Sequence, residues 1–214
     1  MSLVTLTDPR SPAAEAYQAL RTNIEFSGLE QALRCLLVTC PDPQTDKSRA
    51  LANLAVAMAQ AGDRVIVVDG DLRRPQQHAL FHLANHQGLG DALQHEEPPT
   101  LQETEVPNLQ VLTAGPVPPN PVTLLSAGRL RRLLAELREQ ADYVLVDAPP
   151  VLTVTDAALW ATAVDGVVLV ITAGRTRREH AARAREVLDK VHARIVGAVL
   201  LNAEQDAALV GRYG

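Results

Sequence analysis

The chain has 214 residues, 47% of them hydrophobic and 21% charged, and a formal net charge of −5. A chain of this length builds one core and buries about 70% of its extended surface, which excludes a disordered chain and leaves no room for a second independent domain. The scattered basic residues argue against a general nucleic-acid surface, and the apolar run Val164 to Ile171, broken by Asp165, is far short of the ~20 residues that span a bilayer.

In chain order, Ser11-Pro12-Ala13-Ala14-Glu15 combines a capping residue, a proline in the first turn and an acidic residue, with Tyr17, Leu20 and Ile24 following at helical spacing. This predicts a helix over 12–26 that stops near Gly28. Cys35 to Thr39 reads as a strand, Pro41 to Asp46 as a polar loop, and Leu51, Leu54, Ala55 and Met58 as a helix that ends at Gly62. Arg64 to Asp69 contains an unbroken Val65-Ile66-Val67-Val68, the mark of a parallel strand buried on both faces. Tyr143 to Asp147, Gly166 to Ile171 and Ile195 to Leu201 read as strands of the same kind, and Leu109 to Thr113 as another. Helical patterns cover Leu124 to Glu139, Asp156 to Thr162 and Arg178 to His192, with short helices around Leu80 and Leu93. Strands alternating with helices predict an α/β fold, with a mostly parallel sheet of seven to eight strands and helices on both faces. The strands at 65–68, 143–147 and 166–171 are expected at its centre. The chain is expected to be one domain spanning 1–214, with a C-terminal tail at 203–214.

In such sheets chemistry collects where the strands end, which singles out Thr39, Asp69, Asp71, Asp147, Thr172 and Asn202. Lys47-Ser48 follows a strand and a loop and opens a helix, the place for a phosphate-binding lysine and a magnesium-binding hydroxyl. Asp147 ends a strand 100 positions after Lys47, and Asp69 and Asp71 end the strand between them. Convergence of these groups on one edge is more specific than any one motif. The competing reading makes the three aspartates ordinary caps and strand ends.

The residues also carry a resemblance. It runs through Ser11 to Tyr17 with Leu20-Arg21-Thr22-Asn23-Ile24, Val67-Val68-Asp69-Gly70-Asp71-Leu72-Arg73-Arg74-Pro75 and Gly88-Leu89-Gly90-Asp91. It continues in Gly115 to Pro121 and in Asp142 to Pro150 with Asp156-Ala157. From residue 3 to 202 the chain resembles the cytoplasmic domain of the bacterial tyrosine kinases that work with capsular and exopolysaccharide co-polymerases, within the P-loop NTPase fold. These are relatives of the deviant Walker ATPases. The resemblance implies ATP or ADP with Mg²⁺, phosphoryl transfer to tyrosine, ring-like self-association and activation by a membrane-embedded co-polymerase or activator protein. By it, Lys47 and Ser48 match the Walker A lysine and hydroxyl, and Asp147 matches the Walker B carboxylate. Asp69 and Asp71 match the second Walker motif, one as base toward the tyrosine hydroxyl and the other as help for magnesium. The implied metal set is Ser48, Asp71 and Asp147. Asp46, Arg73 and Asn202 complete the implied nucleotide-binding set.

Three departures stand against that pattern. The family loop Pro-Gly-Glu-Gly-Lys-Ser-Thr is here Pro43-Gln44-Thr45-Asp46-Lys47-Ser48-Arg49, without either glycine. Glycine lets a loop wrap its N–H groups around phosphate at positive φ. Asp46 tolerates left-handed geometry better than most residues but brings a negative charge, which Arg49 offsets or pairs with. The tyrosine-rich tail is reduced to Tyr213. The self-association helix keeps Glu15 and Arg21 but has Gln18 between them, so a weak homo-oligomer is expected, through a helix lying off the nucleotide rim.

The remaining features read as structural. His78, His82 and His86 could share one helical face but lack a completing ligand. Arg175, Arg177, Arg178, Arg183 and Arg185 read first as a solvated basic face, next as a dock for an acidic partner or polyphosphate, and last as a DNA contact. Trp160 reads as packed on the sheet. Cys35 and Cys40 read as ordinary thiols in a reducing compartment, and the first residues lack a signal-peptide pattern, so a cytoplasmic chain is expected, peripheral to the membrane through a partner. Two readings of function stay open: an active ATP-dependent tyrosine kinase or ATPase, and a pseudoenzyme of the same lineage with impaired ATP binding. A DNA-associated partitioning ATPase is opposed by the acidic charge and by Leu72-Arg73-Arg74-Pro75; no nucleic acid is expected.

Overall fold

A computed structural model describes residues 2–29, 31–95 and 97–203. The expected tail beyond Ala203, with Tyr213, lies outside the described residues. In chain order the elements are α1 (Val4–Thr7), α2 (Pro12–Ser27), β1 (Cys35–Thr39), α3 (Lys47–Gln60), β2 (Val65–Asp69), α4 (Gln77–Leu80), α5 (Leu89–His95) and β3 (Gln102–Glu103). They continue with β4 (Leu109–Leu112), α6 (Ala127–Gln140), β5 (Tyr143–Asp147), α7 (Asp156–Ala161), β6 (Gly166–Thr172), α8 (Arg178–Lys190) and β7 (Ile195–Leu201). One seven-stranded sheet has the order β3-β4-β2-β5-β1-β6-β7, parallel throughout except for β3 against β4.

Side chains alternate across a strand, so each central strand feeds two cores. Leu36, Val38, Val65, Val67, Leu145, Val168 and Val170 pack with α3 and the helices outside it. Leu37, Ile66, Val68, Val144, Val146, Val167 and Leu169 pack with α5, α6, α7 and α8. The apolar runs of β2, β5 and β6 arise from this two-sided burial, and none of the three strands lies at an edge.

Helix α3 is buried from Lys47 to Ala59 apart from Arg49. It is apolar nearly all round, as a helix enclosed on both sides must be, and it lies between the sheet and a cover made by α1 and α2. Its one polar interior residue, Asn53, is satisfied by α1, whose Thr5 donates to Asn53 Oδ1 from both its backbone N (3.1 Å) and its hydroxyl (2.9 Å). Ser11 caps α2 by accepting from Ala14 N.

Three sequence expectations are corrected. β7 has the apolar composition of a central strand but is an edge, with Leu200 51% exposed; only β6 pairs with it, and apolar content alone does not tell centre from edge. Helix α6 begins at Ala127, behind a Ser126 cap, because Pro121–Thr123 form a separate 3₁₀ turn. The three histidines do not share a helical face, since α4 stops at Leu80 and His82 has φ +57°. Besides these, α1 and the two-residue β3 carry too little pattern to be read from sequence and were not expected.

Candidate nucleotide site

The expected residues converge. The β2–β5 register sets Asp69 beside Asp147, and β1 lies on the other side of β5 with Val38 opposite Asp147. Thr39, Asp69 and Asp147 are therefore neighbours on one sheet edge, and Lys47 enters the same edge from the first turn of α3. Gly70 lets the chain turn there: a Cβ would lie 2.9 Å from the Asp147 carbonyl oxygen and 3.0 Å from the Trp160 ring. Trp160 is indeed packed against the sheet, fully buried.

Lys47 is 5% exposed. Its ammonium has three protons to donate, and it has three acceptors: Asp147 Oδ1 at 2.7 Å, Ser48 Oγ at 3.2 Å and Asp71 Oδ2 at 3.4 Å. Burial pulls its pKa down, but the Asp147 and Asp71 carboxylates outweigh burial and hold the pKa above the ordinary lysine value. The other Asp147 oxygen, Oδ2, accepts from Gln77 Nε2 at 2.8 Å, and the same amide nitrogen donates to the Ser48 carbonyl at 3.1 Å.

The two aspartates of the Asp69-Gly70-Asp71 segment differ. Asp71 faces the cleft and Lys47, and burial raises its carboxyl pKa against the pull of the lysine. Asp69 is sealed off with no exposure. Its Oδ2 accepts the backbone N–H groups of Gln76 (2.9 Å) and Gln77 (2.8 Å), while Oδ1 is buried without a partner among the described residues. Burial first, then the adjacent Asp147 charge, raises the Asp69 pKa well above the usual carboxylate range. Gln77, fully buried, touches three of these groups and was not singled out from sequence. The signal available was its place eight residues after Asp69, in the first turn of the next helix.

The loop before α3 is fastened to its own surroundings. Asp46 has φ −80° and ψ +60°, an inverse γ-turn, and the Lys47 N–H accordingly donates to Thr45 O at 2.9 Å. The Gln44 N–H donates to Asp42 Oδ1 at 3.2 Å. Thr45 is buried and its hydroxyl meets those of Thr172 (3.3 Å) and Thr176 (3.5 Å). Asp46 pairs with Arg49 at 3.1 Å on a half-exposed surface. Positive φ is absent from Gln44 to Asp46, so the left-handed geometry considered for Asp46 is not used. Burial pushes the Cys40 thiol, at the root of the loop, up to about 12. Cys35 and Cys40 are free and buried.

An open cleft of about 310 Å³ is lined by this loop together with Lys47, Ser48, Asp71 and Arg74. Arg73 does not line it: its guanidinium is held by Asp156, 2.9 Å from Nε to Oδ2 and 3.3 Å from Nη2 to Oδ1. Lys47, and not Arg73, therefore neutralises the carboxylates. Asn202 follows β7 on the same edge with φ +55°, exposed and apart from the cleft. Glu15, Gln18 and Arg21 lie on α2, off the cleft, and Arg21 pairs with Glu25 at 3.3 Å.

For Mg²⁺ the donors present, a hydroxyl and carboxylates, are of the hard-oxygen type the ion takes. Among the described residues, however, no three His, Cys, Asp or Glu side chains lie close enough to share one ion. For a polyphosphate, an anion nest needs backbone N–H groups aimed into the cleft, and those of Gln44 and Lys47 are turned to protein acceptors.

A family model described as ParA, NUBPL iron-transfer P-loop NTPase, matches residues 44–204. The tyrosine-protein kinase YwqD of Bacillus subtilis (strain 168) is 38% identical over 201 residues, 93% of this chain and 85% of that protein. This chain belongs to the bacterial capsule and exopolysaccharide tyrosine-kinase family of ParA-type P-loop NTPases. The crystal structure of the chimerical protein CapA2B2 superposes with a TM-score of 0.88 at 35% identity, covering 95% of this chain and 90% of that one. The kinase domain of the Escherichia coli tyrosine kinase ETK superposes at 0.90 with 31% identity, covering 100% and 85%. Within the described residues of this family member, no helix is long and apolar enough to cross a membrane.

Proposed function

We propose that this chain is a degenerate member of its kinase family, acting in capsule or exopolysaccharide biosynthesis or export with impaired ATP binding. The observation that carries the reading is the inward turn of the loop N–H groups of Gln44 and Lys47. In a phosphate loop those groups provide the short-range, directional part of anion binding. Here a phosphate must first break both bonds, displace the Asp46 carboxylate from the mouth of the cleft and draw Lys47 off Asp147. The domain serves instead as a kinase-shaped docking module, cytoplasmic at the inner face of the membrane through a membrane-embedded co-polymerase or activator, with weak self-association through Glu15, Gln18 and Arg21 on α2. The match to the CapA2B2 chimera supports this context.

A second reading, an active tyrosine kinase, is favoured by one observation: Lys47, Ser48 and Asp71 still line the same cleft. Calorimetric titration of the full chain with ATP and Mg²⁺ separates the two. Weak or absent binding supports the degenerate reading, and micromolar binding by the unaltered chain returns it to the active kinases.

A further inference from the structure

We propose that Lys47 is the resident cation of the carboxylate rim, filling the place a divalent ion would take, so that the rim admits no such ion on its own. The proposal extends the reading of an impaired site and rests on it only for the assumption that no phosphate competes for Lys47.

Three observations meet here. The first is geometric. A metal ion bonds carboxylate oxygen at roughly 2.0–2.1 Å if it is Mg²⁺, whereas the Lys47 nitrogen stands 2.7 Å from Asp147 Oδ1. An ion bonded to that oxygen from the cleft side overlaps the ammonium. Ser48 Oγ and Asp71 Oδ2 face the same nitrogen at 3.2 Å and 3.4 Å, so the hydroxyl and both carboxylates implied as the metal set are aimed at a lysine.

The second observation is that no donor atom is left over on the decisive carboxylate. Asp147 has no exposure; Oδ1 is taken by Lys47 and Oδ2 by Gln77 at 2.8 Å. Gln77 is itself fixed by its bond to the Ser48 carbonyl and by its backbone N–H on Asp69. Asp147 cannot swing its second oxygen to an incoming ion without stripping the Gln77 amide of one of its two acceptors in the interior, which is costly.

The third is chemical selectivity. A lysine ammonium is held here by three acceptors matching its three protons. A divalent ion arriving with its water shell offers more charge but must displace the ammonium from all three of these acceptors at once.

The test uses Mn²⁺ alone, followed by loss of the free-ion electron paramagnetic resonance signal, on the full chain without nucleotide. The unaltered chain is expected to leave Mn²⁺ free. Lys47→Ala is expected to bind it at least about tenfold more tightly, a difference of about 1.4 kcal/mol, and Lys47→Ala/Asp147→Asn to lose that gain. Lys47→Arg keeps the charge and is expected to stay blind to Mn²⁺. Binding by the unaltered chain as tight as by Lys47→Ala overturns the proposal, and so does a folded Lys47→Ala that takes no ion. If Lys47→Ala folds only with Mn²⁺ present, the ion has replaced the ammonium and the proposal stands; if it stays unfolded with and without the ion, the proposal falls. ATP binding by the unaltered chain would overturn the degenerate reading without deciding the Mn²⁺ result, so the two failures are separable.

Discussion

The loop from Cys40 to Arg49 and the rim from Asp69 to Gln77 with Asp147 belong to one site, yet they are held in opposite ways. The rim is buried and its groups hold one another, with one lysine and one glutamine joining Asp71, Asp147, Asp69 and the start of α3, and Asp69 Oδ1 alone of the aspartate oxygens named buried without a partner among the described residues. The loop is closed on itself, through Asp42, Thr45 and the Asp46–Arg49 pair at the surface. A buried charge must keep its partner whether or not a ligand comes, whereas a surface loop can lose its glycines without harm to the fold. The contrast teaches that the charged groups of the rim are fixed by burial with or without a ligand, so the backbone donors of the loop are the part of the site that a phosphate would have to rearrange.

The comparison breaks most visibly at Lys47. Lys47→Ala leaves Asp71 and Asp147 without their buried cation, and removing one partner of a buried pair typically destabilises by about 3–5 kcal/mol. Urea unfolding is expected to show a loss of that size, partly recovered in Lys47→Ala/Asp147→Asn; a loss below about 1 kcal/mol would mean the rim is no more tightly held than a surface pair.

A smaller loss is expected at Arg73, whose partner Asp156 is buried while the arginine itself is 38% exposed. Solvent screening discounts the pair, so Arg73→Ala is expected to destabilise by about 1–2 kcal/mol. ATP affinity should not change if Arg73 is structural, and a drop in affinity without loss of stability would restore its nucleotide role.

Asp46→Gly sharpens the comparison from the loop side. It removes the carboxylate at the mouth of the cleft and frees the backbone together, and is expected to raise ATP affinity about tenfold, or about 1.4 kcal/mol. Gln44→Gly, which frees the backbone alone, is expected to gain less. The reverse order in calorimetry would show that the Asp46 charge does not limit ATP affinity.

The last effect is a pH slope. An acid whose folded-state pKa is raised contributes stability that is fully present below its ordinary value, 3.8 for Asp69, and is lost as pH rises through the folded value. Asp69→Asn keeps an acceptor for the Gln76 and Gln77 N–H groups and cannot ionise. Urea midpoints taken from pH 4 upward are expected to fall less steeply in the variant, which is therefore the more stable of the two near neutrality. Asp71, also raised, supplies the slope that remains. An unchanged slope would show that Asp69 is not the group titrating.

Sequence by itself determined the α/β class, the order of the main strands and helices and the convergence of Lys47, Ser48, Asp69, Asp71 and Asp147 on one edge. Two-sided burial writes unbroken apolar runs into β2, β5 and β6, and parallel strands end on a common rim. Only the tertiary structure decided that β7 is an edge, that Arg73 belongs to Asp156, that Gln77 binds Asp147 and that Lys47 neutralises the rim. Each of these pairs residues 70 or more positions apart, or depends on which strand lacks a neighbour, and local periodicity carries no trace of such partners. The direction of the loop N–H groups was likewise beyond the sequence: missing glycines forbid some backbone conformations, but it is the contacts of Asp42 and Thr45 in the folded chain that select the one adopted.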